Sequence, residues 1–385
     1  MKRDFQYFFP SKLIFGTGKV KEVGIYAKEY GKKALIVTGK SSAKNSGALD
    51  RVTESLKQEG ISWKIYDRVV SNPTFEDIEE AAAFALDFSA QVIIGLGGGS
   101  AMDTAKGIAL RIKNEGELEE YFEGRKSSKE AAPLILIPTT SGTGSEGNNI
   151  AVMTNTKNGV KKGLRSPHIY PKVSIVDPEL MVTLPRRITA FTGMDAFFHA
   201  LESFISLRCQ PFTEMYSLKA IELIVKNIEG AYKNGDDIEK RANMALASTL
   251  AGISIGISGV CALHAMEHPL SSFFGANHGE GLCPIAVPFL KYIKSHVTQK
   301  LASISTIFNI DDFLPEEEKA IRVIEWIAET IDKLNLPKSL GYFGVKKDDI
   351  EALARHVEEH MTHNLSTTPG HLKYEDIYSI YLASL

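Results

Sequence analysis

Residues 92–110 read VIIGLGGGSAMDTAKGIAL, and the fold follows from how this stretch is divided. A continuous apolar run enters three adjacent glycines, Gly97, Gly98 and Gly99, and leaves as a helical pattern whose first turn carries Ser100 and Asp103. An apolar run without alternation is the mark of a strand covered on both faces. Glycines let a backbone approach a pyrophosphate, while the free N–H groups and positive dipole end of the following helix attract its charge. The spacing is not a strict G-x-G-x-x-G, and a capped structural turn would also place Ser and Asp here.

The same alternation extends to both sides. KKALIVTG (32–39), DRVTESLKQEG (50–60), WKIYDRVV (63–70), FEDIEEAAAFALDF (75–88) and PLILIPTT (133–140) switch between β-branched runs and helical patterns. Such switching predicts an α/β region with a parallel, doubly wound sheet. VSIVDPEL (173–180) is its expected last strand. A polar loop, TTSGTGSEGNN (139–149), leaves the strand before it at the end where open α/β sheets bind ligands, although a surface loop of turn formers has the same composition. Beyond Pro185 long helical patterns follow one another, among them 212–232, 316–334 and 348–361. We therefore expect a dinucleotide-binding α/β domain over 1–185 and an all-helical domain over 186–385, a division that suits 385 residues at roughly 100–200 residues per domain.

Composition excludes several functions. Lys and Arg number 44 against 47 Asp and Glu, a net charge of −3 without a long block of one sign, which argues against nucleic acid as a partner. Cys209, Cys261 and Cys283 show no Cys-x-x-Cys spacing, so a reducing cytoplasm is expected rather than a disulfide framework. The first 18 residues offer no uninterrupted apolar export signal. Residues 242–266 lack any Asp, Glu, Lys or Arg and carry the Gly252, Gly256 spacing of packed membrane helices. Ser248, Thr249, Ser254, Ser258 and His264 dilute the segment, which reads as a buried helix of a soluble domain.

Metal-binding side chains gather in two places. GMDAFFHALES (193–203) sets Asp195 and His199 four apart on one helix face, in a mostly apolar helix where an unpaired carboxylate is costly to bury. ALHAMEHPLSSFFGANHGEG (262–281) holds His264 and His268 one turn apart and His278 beyond a glycine bend. Any one of these histidines taken alone is as well explained by the core. Three imidazoles with one carboxylate suit Zn or Fe and not Ca or Mg, and spacing does not choose between Fe²⁺ and Zn²⁺.

With IFGTG, GLGGGSAMDTAK, PTTSGTGSE, VDPEL, GMDAFFHALE and HAMEHPLSSFFGANHG in that order, the chain resembles the iron-containing, group III alcohol dehydrogenases over nearly its whole length. The resemblance implies an α/β, Rossmann-like N-terminal domain, an all-helical C-terminal domain, a metal in the cleft between them, a homodimer, and hydride transfer between NAD(P)H and a primary alcohol/aldehyde pair. It also implies Asp195, His199, His264 and His278 as metal ligands, His268 as a proton relay near the nicotinamide, and Glu202 as a residue that does not itself bind the ion. Gly98, Gly99, Ser100 and Asp103 would meet the pyrophosphate, and Thr139, Thr140 and Thr143 would line the nicotinamide side. Asn72, Lys162 and Leu180 match further cofactor contacts. Two departures stand out. Gly39 replaces the acidic residue of NAD-preferring members, with Lys40, Ser41, Ser42 and Lys44 following as phosphate donors, so NADP(H) is the expected cofactor. Asn148 stands at a cofactor-contacting threonine, as in the NADPH-dependent butanol dehydrogenase and aldehyde reductase branch. A glycerol dehydrogenase or dehydroquinate synthase would share the fold but lean on fewer histidines.

Overall fold

In chain order the strands are β1 (Lys12–Phe15), β2 (Lys33–Gly39), β3 (Ser62–Val69), β4 (Val92–Gly97), β5 (Leu134–Pro138), β6 (Ile150–Asn155), β7 (Val160–Arg165) and β8 (Val173–Val176). The computed structural model describes residues 4–385, so Met1–Arg3 of the stretch searched for an export signal lie outside the described residues. Six strands form one sheet in the order β1-β8-β5-β4-β2-β3, every pair parallel. The apolar runs are covered on both faces as expected. Alternate residues of each strand feed two separate apolar clusters, with Leu35, Ile93 and Leu136 in one and Ile36, Ile94 and Ile137 in the other.

From β2 the chain moves outward to β3, then returns to the other side of β2 to lay down β4 and β5. The direction of winding thus reverses between β2 and β4, and the crevice beyond their carboxyl ends is where such sheets bind ligands. Gly39 closes β2 and Gly97 closes β4, so the two loops singled out from the sequence flank that crevice.

Two features were not read from the sequence. β1, which runs into the IFGTG stretch, pairs with β8 at the sheet edge, Phe15 opposite Val176. β6 and β7 form an antiparallel hairpin apart from the main sheet. Its pairs Ile150–Arg165, Val152–Gly163 and Thr154–Lys161 share one face, and Ala151, Met153, Val160 and Leu164 on the other join the core.

After Val176 the described residues contain helices and no strand, and the first long helix is Arg186–Ile205. The charge-free segment 242–266 does not form one rod. It is divided between the helices Ile238–Ser258 and Ala262–Phe274, which meet at a bend of 105°, and no single helix among the described residues is long and apolar enough to cross a membrane. The Gly252, Gly256 spacing has another cause. A Cβ on Gly252 would lie 2.0 Å from the Gly144 carbonyl oxygen, and one on Gly256 would lie 3.0 Å from Asn148 Cβ. The glycine face of this helix is where the 139–149 loop lies down, backbone against backbone.

Candidate active site

The glycine loop is held open by its neighbours. Gly97 has φ 152°, and a Cβ on Gly99 would sit 2.6 Å from Thr143 Cγ2, so the 139–149 loop packs directly on the start of the Gly99–Arg111 helix. This helix is 13 residues long and presents its N-terminal N–H groups to the crevice, the arrangement that receives a diphosphate. Asn72, at φ 55°, lines the same cleft together with Gly99, Ser100, Thr143, His199 and His278. Thr140 packs against Gly98, and the Thr139 N–H is tied to the Gly97 carbonyl at 3.0 Å.

Asp103 and Asn148 reach the cleft wall, but their polar atoms are directed into the protein. Asp103 accepts from Ser145 Oγ at 2.7 Å and from the Val152 N–H at 3.1 Å. Burial raises the pKa of its carboxyl, opposed by Lys106 and these hydrogen bonds. Asn148 accepts from Lys106 Nζ at 3.0 Å and from the Ile150 N–H, and donates to the Gly144 carbonyl at 3.2 Å. Lys106 itself is fully buried, with its ammonium also on Ser145 O, Ser145 Oγ and Ile150 O, each at 2.7 Å. Burial brings its pKa down to about 8 against the pull of Asp103 and Glu146. These side chains brace the loop, a different task from the direct pyrophosphate contact expected of Asp103.

Lys162 also differs from expectation. Side chains alternate along a strand, and Lys162 falls on the opposite face of β7 from Lys161, its ammonium 3.3 Å from Glu123 Oε2 and 4.6 Å from the Phe122 ring centre. Lys161 is the lysine on the cleft face, buried, with Nζ 3.9 Å from Glu267 Oε2. Leu180 is buried in the apolar cluster on one side of the sheet. Gly39 ends β2 beside exposed Lys40, Ser41, Ser42 and Lys44.

The histidine-rich helices converge on one point. Ligating atoms of Asp195, His199, His264 and His278 all lie within 4.8 Å of one another. Asp195 Oδ1 is 3.6 Å from His199 Nδ1, 3.6 Å from His264 Nε2 and 3.7 Å from His278 Nε2. Asp195 Oδ1 and His264 Nε2 are buried with no hydrogen-bond partner, which is expensive unless a cation completes the group. Three nitrogens and one oxygen at this spacing fit a late first-row divalent ion. Burial pushes the Asp195 carboxyl up, but the three surrounding histidines hold it well below the usual range, so the carboxylate is ready for a cation.

Two glutamates aim the rings. Glu202 Oε2 meets His264 Nδ1, and Glu267 Oε2 meets His278 Nδ1, which leaves both Nε2 atoms facing Asp195. A carboxylate behind a ligating imidazole fixes its tautomer and orientation. Glu202 thus lies behind the His264 ring and is not one of the four grouped side chains. Glu267 was not singled out from the sequence, although it sits between His264 and His268 in HAMEH. Burial opposes its ionisation, yet His278 and Lys161 bring its pKa down to about 2. His268 is buried with its ring centre 5.6 Å from that of His278 and its Nδ1 unpartnered.

Residues 10–178 match the model of iron-containing alcohol dehydrogenases, and residues 189–385 match that of the Fe-containing alcohol dehydrogenase family C-terminal region. The chain is 35% identical to long-chain-alcohol dehydrogenase 1 of Geobacillus thermodenitrificans, over 98% of this chain and 95% of that protein. It is 37% identical to the sulfoacetaldehyde reductase of Bilophila wadsworthia, over 91% of each. The solved NADH-dependent butanol dehydrogenase A of Thermotoga maritima superposes with a TM-score of 0.91 at 31% identity, covering 99% of this chain and 98% of that one. This chain belongs to the iron-containing alcohol dehydrogenase family. It is a metal-dependent oxidoreductase that moves hydride between a nicotinamide cofactor and an alcohol/aldehyde pair.

Proposed function

We propose that the chain is an NADP(H)-preferring reductase of primary aldehydes, and that Asp195, His199, His264 and His278 hold its divalent cation, Fe²⁺ or Zn²⁺. The observation that carries the cofactor preference is Gly39 at the carboxyl end of β2, followed by exposed Lys40, Ser41, Ser42 and Lys44. An acid there would repel a 2′-phosphate, whereas cationic and hydroxyl groups receive one. The family includes an NADH-dependent butanol dehydrogenase, so membership alone does not choose, and the reading rests on residue 39.

When bound, the cation polarises the substrate oxygen and the nicotinamide supplies or receives the hydride. Glu202 and Glu267 keep the His264 and His278 rings turned toward Asp195. Gly98, Gly99 and Ser100 offer backbone N–H groups to the diphosphate, while Thr139, Thr140 and Thr143 close the cleft beside the nicotinamide. His268 takes up or returns the substrate proton at Nδ1, the atom that has no partner within the protein. Lys161, beside Glu267, puts a positive charge where an alkoxide gathers negative charge. The same reading divides the chain into domains 1–185 and 186–385, and places it in the cytoplasm, which suits three free cysteines, as a homodimer.

The test is kcat/KM for NADPH and NADH with one aldehyde, on protein stripped of metal and reloaded with Fe or Zn. NADPH is expected to win by at least tenfold. A clear NADH preference would overturn the cofactor assignment, and full activity without metal would overturn the ligand assignment.

A further inference from the structure

Beside the metal-binding histidines lies a second wall of the cleft whose charge the reaction does not use. One cavity is lined by His199, His264, His268 and His278 and also by Ile255, Val260, Met361, Arg165 and His363. No Asp or Glu is among the residues that line it. Arg165 is an exposed side chain, and its hydrogen bonds among the described residues are to main-chain carbonyls, Gly256 O at 3.2 Å and Ile255 O at 3.5 Å. His363 Nε2 and Arg165 Nη2 both lie within 4.0 Å of the point where a Cβ on Gly259 would stand, so the two groups are neighbours. Arg208 Nη1 adds a third nitrogen, 3.5 Å from His363 Nε2. Lys162 also borders this cavity, but its ammonium is directed to Glu123.

Two guanidinium groups on either side of His363, with no carboxylate bonded to them among the described residues, form a site with its ligand missing. The cofactor phosphates do not answer to it, since the glycine loop and the Gly39 edge receive those elsewhere in the crevice. What remains is the substrate, whose reacting oxygen must sit by the histidines, in the cavity that Ile255, Val260 and Met361 line together with Arg165. We propose that Arg165, with Arg208 and His363, is an anion subsite, and that the preferred substrates are short aldehydes carrying a carboxylate or sulfonate at the far end. The proposal rests on the reductase reading above and narrows its substrate class. A fork of N–H donors matches either oxyanion, and such charge-assisted bonds discriminate about ten- to a hundredfold against a neutral isostere.

The experiment compares aldehydes of matched length, butanal, 4-oxobutanoate and 3-sulfopropanal, on the metal-loaded enzyme with NADPH. It adds calorimetric binding of succinate to the same holoenzyme, which needs no turnover. The anionic aldehydes are expected to exceed butanal in kcat/KM by tenfold or more, the larger ratio telling carboxylate from sulfonate. Arg165→Met should collapse that ratio and weaken succinate binding by at least tenfold, and Arg165→Lys should restore part of both. Arg208→Met, at an exposed side chain, should lower the ratio about threefold and serves if Arg165→Met melts well below the parent. Butanal turning over as well as the anions, or Arg165→Met lowering all three aldehydes alike, would overturn the subsite. Failure to reduce any aldehyde would instead count against the reductase reading, and succinate binding lost in Arg165→Met would still support the subsite.

Discussion

Glu202 grips His264 from behind and anchors the turn that carries it. One carboxylate oxygen meets the ring Nδ1, and the other accepts the main-chain N–H of Cys261 at 2.9 Å and of Leu263 at 3.1 Å. The ring orientation and the start of the Ala262–Phe274 helix are therefore set by the same side chain. Glu202→Gln keeps the shape but loses the charge-assisted bond, and should weaken metal binding about ten- to a hundredfold. Competition with a chelator measures this, and unchanged affinity would remove the positioning role.

Gly39 is not required by the backbone. A Cβ there would meet nothing closer than 3.9 Å, the Oγ of Ser42 and the carbonyl of Val69. Gly39→Asp should fold normally and lower the NADPH-to-NADH ratio of kcat/KM by tenfold or more. A ratio that does not move would mean that residue 39 does not read the ribose.

Adjacent lysines on β7 should behave oppositely. Lys161→Met removes a buried cation from beside Glu267 and should cut kcat/KM by about tenfold or more. Lys162→Met removes a partly exposed ion pair with Glu123, worth roughly 0–1 kcal/mol, and should change kcat/KM less than threefold. Equal losses from the two variants would contradict the parity assigned to the strand.

His356 couples stability to pH. Burial, aided by neighbouring His360, lowers its pKa from 6.5 to about 4. The unfolded chain therefore takes up this proton first, and stability falls as pH drops from about 6.5 toward 4. Between pH 7 and pH 5 the effect is up to about 2 kcal/mol. His356→Leu should show a smaller shift in urea midpoint over that interval, and an identical shift would exclude His356 as the source.

What the sequence made legible follows from how each signal is written. β2, β4, β5 and β8 announce themselves as uninterrupted apolar runs, and Asp195 and His199 declare a shared face by being four apart. The change in pattern at Pro185 falls between the end of β8 at Val176 and the helix that starts at Arg186. The β6–β7 hairpin was hidden because one face lines a polar cleft, so its alternation mixes Lys161, Gly163 and Arg165 with core residues. Choosing Lys161 over Lys162 needs the parity of that strand, which motif spacing does not carry. Glu267 passed as an ordinary helical glutamate because its role exists only once His278, eleven residues on, folds back against it. β1 depends on a partner some 160 residues away, and nothing local marks it.

The four oxygens gathered around the Lys106 ammonium have a kinetic meaning as well as a static one. They tie the 145–150 segment to the glycine-loop helix from inside, so this wall of the crevice is already rigid when a dinucleotide arrives and little disorder is lost there on binding. Whatever opening and closing sets the pace of cofactor exchange must then come from the facing wall, where the helices carrying Asp195, His264 and His278 swing or stay still.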